Sequence, residues 1–265
     1  MQQAQDFLDE CEALAAALAD LPEADWTRAT QFKGWRVNDV IVHLYFWNRA
    51  ADMSLTDPAG FDARIGAALP EMMERGMRPV ENAAIGERGR ALYDAWRAQY
   101  RDMAARWAEV DPKTRVKWAG PEMSARSSIT ARQMETWAHG QEIFDLLGVA
   151  RQDADRIRNI VVLGVNTFAW SHKVQGHEVP DQMPRLRLTA PSGAIWEFGD
   201  PASPDLIEGA AADFARVVTQ TRNIADTALK VTGPVATRWM ETAQCFAGGQ
   251  EAPPEPGTRF TAAKG

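Results

Sequence analysis

Four stretches within the first 150 residues carry apolar side chains at helical spacing, and they constrain this fold more than any other feature. The first, 2–20, has the stripe Phe7, Cys11, Leu14, Leu18. The second runs over 37–53, with Asp39 in its first turn, where a negative charge suits the helix dipole. The third, 87–110, sets Leu92, Trp96, Met103 and Trp107 on one side. The fourth, 128–147, is followed by Gly148, placed for a C-cap. Between the second and third lies 56–86, punctuated by Asp57-Pro58, Leu69-Pro70 and Arg78-Pro79. It reads as a long crossover with short helical pieces. Four long amphipathic helices joined by one such crossover predict a four-helix bundle.

Beyond Gly148 the character changes. Residues 155–174 still read as helix, and 176–184 as a linker. Strands are expected at 185–189 and 194–198, around a Pro191-Ser192-Gly193 turn. Helix is expected again at 205–219, a strand at 227–232, and a last helix at 234–246 opening on Pro234. The expectation is an α+β chain with a bundle over 1–150, a small α/β domain over 151–255, and an irregular tail over 256–265.

Composition excludes several functions. The net charge is −7 and the pI about 5.2, with no basic block, so a phosphate backbone is not the expected partner. No apolar run approaches the roughly 20 residues of a membrane helix, and the N-terminus lacks the basic region of a signal peptide. The two cysteines, Cys11 and Cys245, offer neither metal spacing nor a disulfide framework, and Cys11 reads as a small buried hydrophobe. The cytoplasm is the expected compartment, and the sequence leaves the oligomeric state open.

The chemistry concentrates in two helices. Glu135 and His139 are four residues apart, so they stack on one helical face one turn from each other. Glu142 continues that stripe. His43 sits in Val40-Ile41-Val42-His43-Leu44-Tyr45-Phe46-Trp47, a strongly apolar stretch, and faces the core side with Val40 and Trp47. Ionisable groups turned into a core are costly unless paired or bound to a metal. Two imidazoles and a carboxylate suit zinc or a similar cation, with positions left open for water or substrate. Taken alone, however, His43 fits a satisfied core histidine, and Glu135 with His139 fits a common surface pair. His172 and His177 read as solvated linker histidines.

Two motifs also carry a family resemblance. Gly34-Trp35-Arg36-Val37-Asn38-Asp39-Val40-Ile41-Val42-His43-Leu44 resembles the first metal motif of the DinB-like four-helix bundles, in the branch of mycothiol-dependent maleylpyruvate isomerase. Met134-Glu135-Thr136-Trp137-Ala138-His139-Gly140-Gln141-Glu142 resembles the second. Further similarity, at Met123 to Ser127, Asp226 to Leu229 and Ala243 to Gly248, is to a two-domain bacterial group and covers nearly the whole chain to Arg259. The resemblance implies His43, Glu135 and His139 as ligands of a divalent metal, most simply zinc. It also implies a sterol-carrier-like second domain and a thiol-cofactor-dependent isomerisation or transfer on a small molecule. Glu142 then reads as an orienting group, a fourth ligand or a general base, or else as a helix-surface acid, and Arg126 and Arg132 as receivers of a substrate carboxylate or else as surface salt-bridging groups. Glu142 stands where the group's pattern has aspartate, and Arg36 where a Ser or Thr cap is common. The alternative function is a protein that binds a metal or small ligand without turnover.

Overall fold

The computed structural model describes residues 1–263. The chain divides into two compact units, Met1–Ile143 and a second beginning at Phe144.

The first unit is built on α1 (Gln2–Leu18), α2 (Val37–Thr56), α3 (Pro58–Arg75), α4 (Met77–Ala84), α5 (Gly89–Ala108), a two-stranded ribbon of β1 (Arg115–Val116) and β2 (Met123–Ser124), and α6 (Ala125–Leu147), which runs on into the second unit. Helix α5 packs against both α1 and α2. Helix α6 meets α1 through Cys11 Sγ and Thr136 Oγ1, 3.8 Å apart. It meets α2 where Arg132 Nε donates to Asn48 Oδ1 at 2.9 Å. These four helices form the bundle. Phe7, Cys11, Leu14 and Leu18 of α1 are all at most 1% exposed, as are Leu92, Trp96, Met103 and Trp107 of α5. Each large apolar side chain so buried contributes about 1.5–3 kcal/mol.

Two local expectations change. The crossover is more helical than its prolines imply, because α3 spans eighteen residues and continues through Pro70. Pro58 occupies the first turn, where its missing N–H costs nothing, and Asp57 Oδ1 accepts from Gly60 N at 3.0 Å. The proline pairs therefore mark helix starts as well as stops. The start of α2 is also better served than Arg36 suggested, since the Asp39 carboxylate three residues on accepts from Arg36 N at 2.9 Å.

The second unit contains α7 (Arg158–Asn166), α8 (Phe168–Val174), β3 (Arg185–Thr189), β4 (Ile195–Phe198), β5 (Leu206–Ala210), α9 (Ala211–Val218), β6 (Lys230–Thr232) and α10 (Pro234–Thr242). The sheet order is β4-β3-β5-β6, with β3 and β5 parallel and the outer pairings antiparallel. Leu186, Leu188 and Ile207 are buried on the face that receives α9, whose Phe214 meets Trp239 edge to face at 5.6 Å.

Residues 205–219 were expected as helix, but their first part is the strand β5, with Ile207 registered on Leu186. Strand and helix abut with no turn residue between them, so their apolar positions merge into one run. The helix expected over 155–174 is two helices broken at Thr167, whose hydroxyl bonds back to Leu163 O and Gly164 O at 2.8 and 3.0 Å. The tail beyond α10 has neither helix nor strand up to residue 263, and the last two residues of the expected 256–265 tail lie outside the described residues. Side-chain amides hold its backbone: Gln220 Nε2 donates to Glu251 O at 3.1 Å and Asn223 Nδ2 to Pro254 O at 2.8 Å.

Candidate metal centre

The bond between Asn48 and Arg132 sets α2 and α6 antiparallel in a register that brings His43 to Glu135. His43 Nε2 lies 3.5 Å from Glu135 Oε2, and His139 Nε2 lies 3.4 Å from the same oxygen. One ligand atom from each of the three residues falls within 4.8 Å of the others. A charge-assisted hydrogen bond between such groups closes to about 2.7–2.9 Å. Two ligands about 2.1 Å from a tetrahedral ion stand about 3.4 Å apart. The two separations lie at the outer limit of hydrogen bonding and are also the length of two edges of a coordination tetrahedron. Side-chain exposure is 8% at His43, 13% at His139 and 24% at Glu135, so the carboxylate marks the more open side.

The electrostatics follow from burial and from two carboxylates. Burial alone would push the His43 imidazole down, but the Glu81 charge, with bonds to Glu135 and Glu81, lifts it to about 9. Burial likewise opposes the charge on Glu135, yet its bonds to His139 and His43 hold the carboxyl well below its ordinary range. Burial carries His139 the other way, down, with Glu135 only partly offsetting it.

Glu81 was not anticipated. It lies on α4, inside the segment read as crossover, and is 1% exposed. Its Oε1 accepts from His43 Nδ1 at 2.9 Å and from Trp47 Nε1 at 2.6 Å. A lone acid between Val80 and Asn82 offers no periodic or motif signal that would have singled it out.

The loop before α2 also contributes more than its motif implied. Lys33 and Gly34 adopt φ of 49° and 66°, a left-handed pair that turns the chain so that Trp35 N reaches Phe32 O at 2.8 Å. The turn lays the Trp35 indole parallel to the His139 ring, with 5.7 Å between centroids and 4° between planes. Phe32 meets the same imidazole edge to face at 5.1 Å, and Trp35 meets His43 at 5.4 Å. Aromatic walls thus enclose both imidazoles.

The other candidates are placed as follows. Glu142 is buried at 1% exposure but stands outside the three-residue cluster. Arg126 is exposed near the start of α6, nine residues and so roughly 13 Å along the axis from Glu135. Arg132 is 2% exposed and only three residues from Glu135. Burial lowers its affinity for the proton, against the favourable charge of Glu135, and its Nη2 has no hydrogen-bond partner among the described residues. Asn48 Nδ2 and Ser128 Oγ, the latter one turn earlier on α6, are buried donors in the same condition. His172 corrects the reading of a solvated histidine: it is 1% exposed and its Nδ1 bonds to Phe168 O at 2.9 Å, within the packed side of α8. His177 is half-buried.

Comparison with known proteins agrees with this architecture. An uncharacterized protein of Mycobacterium tuberculosis strain H37Rv is 34% identical over 243 residues, covering 92% of this chain and 94% of the relative. Its counterpart in strain CDC 1551 matches equally. The crystal structure of the mycothiol-dependent maleylpyruvate isomerase superposes with a TM-score of 0.54 at 17% identity, covering 82% of this chain and 87% of that one. A histidine-to-alanine mutant of that enzyme superposes with a TM-score of 0.53 over the same shares. Residues 7–144, which hold all three members of the cluster, match the family described as Mycothiol maleylpyruvate isomerase N-terminal domain, and the chain belongs to that family.

Proposed function

We propose that the first unit binds a divalent cation, zinc by the nature of its donors, through His43 Nε2, Glu135 and His139 Nε2. We further propose that the protein is a thiol-dependent isomerase or transferase acting on a small molecule in the cytoplasm. The observation that carries the metal reading is the pair of separations near 3.4 Å between carboxylate and imidazoles. The thiol-dependent reading draws on the family and on the printed name of the solved relative. When bound, the cation would supply a Lewis acid and hold a low-molecular-weight thiol as thiolate.

The chain's own residues divide the remaining work. The aromatic walls of Phe32 and Trp35 keep water from one side of the imidazoles. Arg132, a buried guanidinium with a spare N–H on the same stretch of α6, suits an anionic substrate group, with Asn48 and Ser128 as neutral donors beside it. Glu142, buried on the same helix, suits an orienting or proton-holding role. Arg126, exposed and more distant, suits at most the approach of an anion.

Elemental analysis of the purified chain, followed by a turnover screen of low-molecular-weight thiols with maleylpyruvate and other electrophiles, tests both parts. About one equivalent of metal and metal-dependent turnover are expected. Metal without turnover under any thiol would leave a binding protein and overturn the enzymatic reading. No metal retained or taken up would overturn both.

A further inference from the structure

We propose that Glu81 is a positioning residue: delivered by the crossover helix α4 and anchored by Trp47, it holds His43 with its proton on Nδ1 and its Nε2 lone pair turned toward Glu135 and His139. The proposal rests on the metal reading above.

A carboxylate at 1% exposure is expensive to bury, and an apolar side chain of like size would commonly serve stability as well or better. Its retention needs another reason, and its bonds point to one. A single oxygen, Oε1, takes both the His43 Nδ1 contact at 2.9 Å and the Trp47 indole at 2.6 Å. Residues 43 and 47 are one turn apart on α2, so Trp47 fixes the oxygen at the height of the imidazole. Trp47 is itself backed by Trp118, with 5.3 Å between ring centroids. The crossover is pinned to the start of α2 at the same time. Asn82 Nδ2 donates to Asp39 Oδ1 at 2.8 Å, and Arg88 Nη2 donates to both Asn82 O and Asn82 Oδ1 at 2.9 Å.

The chemical consequence concerns the imidazole in its ligating form, which has given up one proton and carries the other on one nitrogen only. If that proton stood on Nε2, or if the ring turned over, His43 would present N–H or carbon to the cluster and could not ligate. An acceptor fixed at Nδ1 removes both alternatives. The same arrangement orients histidine ligands generally, where losing the outer carboxylate costs about 10–100-fold in metal affinity.

The test is zinc affinity by competition with a chromophoric chelator, on the full metal-free chain. Glu81→Ala is expected to weaken zinc binding about 10–100-fold, and Glu81→Gln, which keeps an acceptor oxygen, to recover part of that loss. In a His43→Ala background Glu81→Ala is expected to change nothing further. An unchanged affinity in Glu81→Ala, or the same fold-loss in both backgrounds, overturns the proposal. If Glu81→Ala does not fold, Trp47→Phe replaces it, with a smaller loss expected in the wild-type background and none with His43→Ala. A second readout is independent of the metal: a downfield, slowly exchanging His43 Nδ1 proton in the NMR spectrum of the metal-free chain, lost in Glu81→Ala and moved upfield in Glu81→Gln, whose neutral amide oxygen accepts more weakly. Its absence sinks the positioning role, whereas its presence in a chain that takes up no zinc sinks the metal reading instead.

Discussion

Both units bury charged and polar side chains, but they use them differently. In the second unit each named group serves the chain itself. Arg222 Nη2 donates to Asp145 Oδ1 at 2.7 Å, and Thr261 Oγ1 reaches the same oxygen at 2.9 Å. Asp205 Oδ1 accepts from Val235 N and Ala236 N at 2.8 and 3.0 Å, closing the start of α10. In the first unit His43 Nε2 and His139 Nε2 stand 3.5 and 3.4 Å from Glu135 Oε2, and Arg132 nearby keeps a donor without a partner among the described residues. Polar groups that close on each other or on backbone hold a fold together. Groups that meet only at the outer limit of hydrogen-bond reach are the ones proposed above to receive something from outside.

That contrast can be broken by mutation. The largest effect on stability is expected from Arg222→Ala, which takes the guanidinium from the buried Asp145 carboxylate: about 3–5 kcal/mol less stable by denaturant titration, with zinc affinity of the folded fraction unchanged. A marked loss of zinc affinity there would dissolve the distinction between the units. His139→Ala should do the opposite. It removes a proposed ligand and is expected to weaken zinc binding by more than about a hundredfold, close to 3 kcal/mol, with little change in the urea midpoint of the metal-free chain.

A third effect depends on pH. His43 in the folded, metal-free chain is lifted to about 9 from its ordinary 6.5, so the folded state holds that proton more tightly than the unfolded chain. The resulting stabilisation is complete below about 6.5 and is lost as pH rises through about 9, on the order of 3 kcal/mol. His139, shifted down, acts only on the acid side of its ordinary value and leaves that window to His43. Urea midpoints of the metal-free chain at pH 6.5, 8 and 9.5 should fall, and the fall should vanish in His43→Ala. The smallest effect is expected from Asp205→Ala, about 1 kcal/mol in stability through the freed N-terminus of α10, with neither zinc affinity nor its pH dependence altered.

The bundle was readable because each helix carries its own period. The stripe of Phe7, Cys11, Leu14 and Leu18 needs no partner to be recognised, and all four are buried. The juxtaposition of Glu135 with His139 was readable for the same local reason, and His43 because an imidazole in so apolar a stretch has few other places to point. Glu81 was not, since it meets His43 across a separation of 38 residues, most of it crossover whose path no local pattern encodes. The strand β5 was missed where two periods run together without a break, and the buried state of His172 because its partner is a backbone carbonyl, which leaves no trace in sequence.

The parallel stack of Trp35 on His139 has an optical consequence. An indole's emission responds to the electric field across its ring and to contact with a protonated imidazole. With His139 face to face and His43 edge-on at 5.4 Å, Trp35 sits where any change of charge between the two imidazoles is felt directly. Among the ten tryptophans of the chain, the difference spectrum against Trp35→Phe isolates that one fluorophore. On the proposed metal reading, Trp35 is an intrinsic reporter for the arrival of a cation.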